Sequence, residues 1–160
     1  MSPDPERDDV RLMRVGLGDE RAQALEAAHI DEMNERYGTG GPGRVVREGF
    51  DPPGGCFLLA VVDGSPVGCG GFRRLGPTRA EIKRMYVDPA ARGRGVGRRL
   101  LADLEARAEA VGYREVWLET GTEQPEAIAL YVRSGYVPIP PYGEFEQDPG
   151  SRCYRRTLAT

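Results

Sequence analysis

Glycine recurs at every second position in Arg92-Gly93-Arg94-Gly95-Val96-Gly97-Arg98, and arginine fills three of the remaining four. A strand-like run from Ala80 to Val87 leads into this segment, and an apolar helical pattern begins at Val96. The first turn of a helix presents backbone N–H groups without partners and a partial positive charge, so it attracts anions. Glycines let that backbone approach an oxyanion closely, because no Cβ stands in the way. Arg92, Arg94 and Arg98 can add charge-assisted hydrogen bonds. The chemistry these residue types suit is the holding of a phosphate or diphosphate.

Two familiar phosphate sites do not fit. A nucleotide-hydrolysing loop needs Lys-Ser or Lys-Thr after its last glycine, where this chain has Arg98-Arg99, and no magnesium ligand is offered. A dinucleotide-binding turn wants a small residue at position 98 and the motif on a first strand. Glu119 does fall near the distance of a ribose-binding acid, but hairpin strands precede the turn. The glycines also read as a bare strand-to-helix connection, although such connections rarely gather so many glycines and arginines.

The surrounding pattern supplies the elements. Val10 to Leu17 alternates as a strand. Asp19 can cap a helix carrying Ala22, Leu25, Ala28 and His29, and a second short helix over Ile30 to Tyr37 is expected to stop at Gly38. Gly38-Thr39-Gly40-Gly41-Pro42-Gly43 reads as a mobile loop. Apolar runs Cys56–Val62 and Val67–Arg73 flank Asp63-Gly64-Ser65-Pro66, a hairpin signal. The helix after the glycine turn buries Val96, Leu100, Leu101, Leu104, Ala108 and Val111, and Gly112 ends it. Glu115–Thr120 is a strand, Thr122 a helix cap before Pro125, and Gly135 the next stop. A last strand is expected near Cys153 to Leu158. The order predicts an α/β chain of the α+β type: a mixed, mostly antiparallel central sheet flanked by helices. Residues 1–9 read as a polar tail and 10–160 as one domain.

Composition narrows the function classes. The chain has 160 residues, a net charge of −3 and 39% hydrophobic residues, which suits one folded domain and argues against general nucleic-acid or anionic-membrane affinity. No run approaches the ~20 apolar residues of a membrane span. Cys56, Cys69 and Cys153 lack metal spacing, and their odd number suits reduced thiols in a cytoplasm.

The pattern Arg92-x-x-Gly95-x-Gly97, after Met85-Tyr86-Val87 and before Leu100-Leu101, resembles the coenzyme A signature of the GNAT superfamily of N-acetyltransferases. The likeness is sharp from Glu81 to Gly135. It implies the acyl-CoA acyltransferase fold, with acetyl-CoA as acyl donor and no metal. Its diphosphate would lie on the amides of Gly93 to Arg98, and its pantetheine arm along Met85, Tyr86 and Val87. The implied reaction is acetyl transfer to a primary amine of a small molecule by direct attack in a ternary complex; a peptide acceptor or a non-catalytic acyl-CoA sensor are the alternatives. A homodimer paired through late strands is compatible with the resemblance.

Amine attack on a thioester needs a neutral amine, a stabilised oxyanion and a protonated leaving thiol. A backbone N–H near Val87 is the implied oxyanion donor. Tyr131, in Ala127-Ile128-Ala129-Leu130-Tyr131, resembles the family's acid; it also reads as an apolar-face residue beside Ile128. Glu81 is the candidate base, or else an ion-paired strand-end carboxylate near Arg79. His29, the single histidine, is a second candidate for base or substrate contact. Acceptor recognition is placed on Arg36, Tyr37, the loop from Gly38 to Gly43, Tyr142, Glu144 and Phe145, with Glu144 suited to an ammonium and Arg84 to a carboxylate.

Overall fold

A computed structural model describes residues 10–38 and 48–158. The expected tail over residues 1–9 and the glycine loop from residue 39 onward lie outside the described residues. In chain order the elements are β1 (Val10–Arg14), α1 (Glu20–Tyr37), β2 (Cys56–Val62), β3 (Ser65–Gly76) and β4 (Arg79–Val87). A 3-10 turn (Pro89–Ala91) follows, then α2 (Val96–Val111), β5 (Glu115–Gly121), α3 (Pro125–Arg133), β6 (Val137–Ile139), a second 3-10 turn (Gly143–Phe145) and β7 (Ser151–Thr157). The strands form one sheet in the order β1-β2-β3-β4-β5-β7-β6. Every neighbouring pair is antiparallel except β4 and β5, which run parallel. The expected mixed, mostly antiparallel sheet is therefore observed.

Two sequence expectations are corrected. The early helical segment is one helix of 18 residues, not two; the link Ala28-His29-Ile30-Asp31 contains neither glycine nor proline, so nothing interrupts the hydrogen-bond ladder. Asp19 does cap it, accepting from the N–H groups of Arg21 and Ala22. Thr122 does not cap α3; the cap position is Gln124, with Pro125 opening the helix.

The sheet is covered on both faces. Alternate residues of β2 divide between them: Leu58 and Ala60 join Phe72 and Ile82 beneath Leu100, Leu101 and Leu104 of α2 and Tyr131 of α3. Phe57, Leu59 and Val61 join Cys69 and Tyr86 beneath Ala22 and Leu25 of α1. No described helix is long and apolar enough to cross a membrane.

The packing leaves an opening at the centre. Rungs join β4 to β5 only from Arg79↔Glu115 to Ile82↔Leu118. Beyond them β4 continues to Val87 and β5 to Gly121, and the two strands part. From Lys83 onward β4 therefore pairs with β3 alone.

Candidate active site

β4 carries an extra residue where it leaves β5. Between the rungs Gly71↔Lys83 and Cys69↔Tyr86, β3 advances by two residues and β4 by three, which is a β-bulge. Arg84 sits in it at φ 61°, an unusual value for a side chain with a Cβ. The bulge reverses the alternation. Ile82, Met85 and Val87 pack against the α2 side, while Tyr86 turns toward α1. Without the extra residue, Tyr86 and Val87 would exchange faces.

Immediately after β4 comes the glycine turn. Gly93 and Gly95 have φ of 84° and 80°, and a Cβ built on either would meet nothing within 4 Å. Glycine is required here by backbone conformation, and the space above the turn is open. Gly95 caps α2 without any side-chain hydrogen bond, and the first turn of α2 has no acidic residue. Its leading N–H groups border the cleft, and no side chain among the described residues caps them. A Cβ on Gly97 would come to 3.4 Å from Leu130 and 3.6 Å from Val87, so this glycine lets α2 begin close against both walls.

The cleft is a cavity of about 700 Å³, lined along its length by Met85, Tyr86 and Val87, by Gly93 to Arg98 without Arg94, and by Leu130 and Tyr131. The expected Met85, Tyr86, Val87, Gly93, Gly95, Val96, Gly97 and Arg98 are thus brought together. Arg94 instead borders a smaller cavity with Asp88 and Asp63. Arg92 lines the cleft, but its guanidinium is engaged: Nε donates to the Val87 carbonyl at 2.9 Å and Nη2 to Glu32 at 2.7 Å. It therefore fixes the strand-to-turn corner to α1 rather than projecting a loose charge. A diphosphate with an extended arm fits these residues: uncapped amides at one end, an unpaired strand edge along one wall, and apolar side chains opposite.

Tyr131 lines the same cleft. It is buried, and no hydrogen bond holds its hydroxyl among the described residues. Burial, with the nearby Glu119 charge, raises its pKa, so the phenol stays protonated across the neutral range. His29 stacks on Tyr86 with ring centroids 5.1 Å apart. Burial lowers its pKa to about 4, so it is a neutral imidazole at pH 7 and a weak base.

The α1 face of β4 and β5 holds the remaining candidates. Glu81 is buried and already served. Its Oε1 accepts from Arg73 at 3.0 Å and its Oε2 from the Tyr142 hydroxyl at 2.6 Å. Such a carboxylate anchors the segment after β6, and its contacts suit a base poorly, so the expectation for Glu81 is revised. Tyr142 is accordingly a tether, packed edge-on to Trp117 and Phe145. Arg84 pairs with Glu26 of α1 rather than pointing to an acceptor carboxylate. Tyr37 accepts from the Glu123 N–H at 3.1 Å, and its hydroxyl occupies the space where a Cβ on Gly121 would stand; it straps α1 to the end of β5. Arg36 joins this strap through Glu32, the Glu123 carbonyl and Glu126. Glu144 is exposed in its turn.

Two residues emerge that sequence reading assigned no catalytic or acceptor role, Glu119 and Lys83. Glu119 stands on β5 one position past the last β4–β5 rung. It accepts from Ser151 at 2.8 Å, and burial raises its pKa above the ordinary carboxylate value. A buried carboxylate of raised pKa is a candidate functional group. The signal was present in Glu115-Val116-Trp117-Leu118-Glu119, whose alternation puts Glu119 on the face opposite the buried Val116 and Leu118.

A splayed parallel pair within an antiparallel sheet, with a glycine turn capping a helix at the open end, defines an acyl-CoA N-acyltransferase fold. The model of the acetyltransferase (GNAT) family matches residues 22–136, and the chain belongs to that family. It is 43% identical over 103 residues to an IAA acetyltransferase of Azospirillum brasilense, covering 64% of this chain and 67% of that one. Among solved structures, a Klebsiella pneumoniae protein assigned as an acyl-CoA N-acyltransferase superposes with a TM-score of 0.80 at 31% identity, covering 94% and 98% of the two chains. A GNAT family acetyltransferase of Elizabethkingia anophelis with acetyl-CoA bound has a TM-score of 0.69 at 17% identity, covering 94% and 99%; that likeness is one of fold.

Proposed function

We propose that the protein transfers an acetyl group from acetyl-CoA to a primary amine of a small molecule, with donor and acceptor bound together. The observation that carries this reading is the continuity of the cleft: one cavity runs from the uncapped amides of α2, along the unpaired edge of β4, to the Tyr131 phenol. When bound there, the coenzyme supplies the acetyl group as a thioester. The amides of Val96, Gly97 and Arg98 hold its diphosphate, with the exposed Arg98 adding charge. The edge of β4 from Met85 to Val87 orients the arm as an added strand would.

The chain's own residues then handle protons. Glu119, on the acceptor side of the opening, takes the proton that the ammonium must lose. Tyr131 delivers a proton to the departing sulfur. Its raised pKa does not disable it, because a thiolate forming in the same apolar pocket is destabilised by the same loss of solvation. The neutral amine then attacks: the carbon–nitrogen bond forms and the carbon–sulfur bond breaks. The nitrogen loses a second proton as the sulfur gains one from Tyr131, whose phenol that second proton restores. The first proton, taken by Glu119, passes to solvent as the one proton released overall. His29, neutral and stacked on Tyr86, shapes the wall between the two sides.

The test is thiol release from acetyl-CoA across a panel of small amines and peptides, with mass detection of the acetylated product. Small amines are expected to raise release above hydrolysis, and peptides to do so less. A protein that binds coenzyme A but responds to no acceptor would be an acyl-CoA sensor, and the reading would be wrong.

A further inference from the structure

The glycine turn and the Tyr131 phenol belong to different helices, and a buried polar chain joins those helices. α3 ends in a glycine cap. Ser134 closes it and Gly135 follows at φ 92°. The N–H groups of Gly135 and Tyr136 donate back to the Val132 and Tyr131 carbonyls at 3.2 and 3.0 Å. A cap of this kind commonly brings the side chains at its two ends into contact. Here they are Tyr131 and Tyr136, whose rings meet edge to face with centroids 5.8 Å apart. The two phenols end differently. The Tyr131 hydroxyl has no hydrogen-bond partner among the described residues, so the packing of its ring is what aims it. The Tyr136 hydroxyl donates to Glu105 Oε2 at 2.8 Å, and Arg156 of β7 donates to Glu105 Oε1 at 2.7 Å. Burial and the Glu105 carboxylate raise the Tyr136 pKa, so this phenol keeps the proton it donates. Glu105 is a carboxylate in the otherwise apolar buried stripe of α2. A buried ionic group of this kind adds little net stability over an apolar side chain of the same size. What it fixes is geometry. α2 carries the uncapped amides at its start and, about two and a half turns later, the carboxylate that holds the ring beside Tyr131.

We propose that Tyr136 and Glu105 are positioning residues for the acid: the hydrogen bond between them holds the Tyr136 ring against Tyr131 and so aims the Tyr131 phenol in the cleft. This rests on the acetyl-transfer reading with Tyr131 as its acid. Tyr131 lines the cleft, whereas Tyr136 and Glu105 do not, so their influence on the chemistry runs through Tyr131. Without the hydrogen bond the Tyr136 ring is free to shift, and Tyr131 loses the wall that defines its place. A proton donor displaced by a fraction of an ångström loses rate without any loss of coenzyme contacts.

The experiment is a double-mutant cycle on kcat in wild type, Tyr136→Phe, Tyr131→Phe and the double variant. Acetyl-CoA is the donor, and the acceptor is the amine of the panel that releases thiol fastest. Tyr136→Phe keeps the ring and loses the hydrogen bond. It is expected to lower kcat about tenfold, with the KM for acetyl-CoA unchanged. In the Tyr131→Phe background, where no proton remains to be aimed, it is expected to change kcat by less than about twofold. Glu105→Leu places an apolar group of similar size in the apolar stripe and is expected to repeat both results. It carries the test should Tyr136→Phe fail to fold, with circular dichroism as the check. Equal losses in the two backgrounds would show a structural contribution independent of Tyr131 and overturn the proposal. An unchanged kcat in folded Tyr136→Phe would do the same. An unchanged kcat in Tyr131→Phe would overturn it by removing the acid, while leaving acetyl transfer standing. Absence of thiol release with every amine would overturn both.

Discussion

In the proposed reaction the Tyr131 hydroxyl and the Glu119 carboxylate would divide the proton traffic because their surroundings differ. The phenol is buried in the core cluster with no hydrogen-bond partner among the described residues, whereas the carboxylate keeps a hydroxyl donor from Ser151. Tyr131→Phe removes one oxygen and should preserve coenzyme A affinity while lowering kcat about 10²-fold, the usual value of a positioned acid. Calorimetry of coenzyme binding beside steady-state kinetics checks both halves, and an unchanged kcat removes Tyr131 from the chemistry. For Glu119 the sign is set by its working form. The base is the carboxylate, and burial raises its pKa, so kcat/KM should climb with pH through a limb above the ordinary carboxylate range. Glu119→Gln should lose that limb, retain the amine's own titration, and run about 10²-fold slower at neutral pH. A retained limb would return the role to another group.

At the scale of the elements, most of what positions these residues is written locally. The alternation of β5, the turn at Asp63-Gly64, the glycine turn and the apolar stripe of α2 each depend on neighbours within one element, and each is found where the sequence puts it, except that Val111 in the last turn of α2 is exposed rather than buried. What was not legible depends on partners far along the chain. Glu81 looked like a base because nothing near it reveals Tyr142, which reaches it from 61 residues away. The engagement of Arg92 by Glu32 is equally distant. The bulge at Arg84 has no glycine to announce it, and it decides which face Tyr86 occupies. Asp19 is a local feature with a measurable consequence. Its side-chain hydrogen bond with Arg21, then the Ala22 and Arg21 backbone N–H groups, lowers its pKa from 3.8 to about 2. A carboxyl depressed on folding stabilises above its unfolded pKa and loses that effect as pH falls through the folded value. Asp19→Ala should therefore cost about 1 kcal/mol at pH 7, and urea midpoints of variant and wild type should converge as pH approaches 2.

For the molecule as a whole, the parted strands mean that the sheet is joined at its centre by four rungs, from Arg79↔Glu115 to Ile82↔Leu118. One side carries β1 to β4, and the other carries β5, β7 and β6. Above the opening, the two sides are held by α1: Glu32 grips Arg92 after β4, while Arg36 and Tyr37 grip Glu126 and the Glu123 backbone after β5. A ligand lying along β4 with its diphosphate on α2 and its thioester end at Tyr131 touches both sides, so its binding energy adds to the joint. At a coenzyme concentration 100 times its Kd, linkage supplies about 2.7 kcal/mol. For a chain of this length that corresponds to a rise in Tm on the order of 5–10 °C. Gly97→Asp places a carboxylate among the α2 amides and against Leu130, so it should abolish the coenzyme-dependent rise; far-UV circular dichroism establishes that the variant is folded. A full rise in folded Gly97→Asp would show that the diphosphate lies elsewhere.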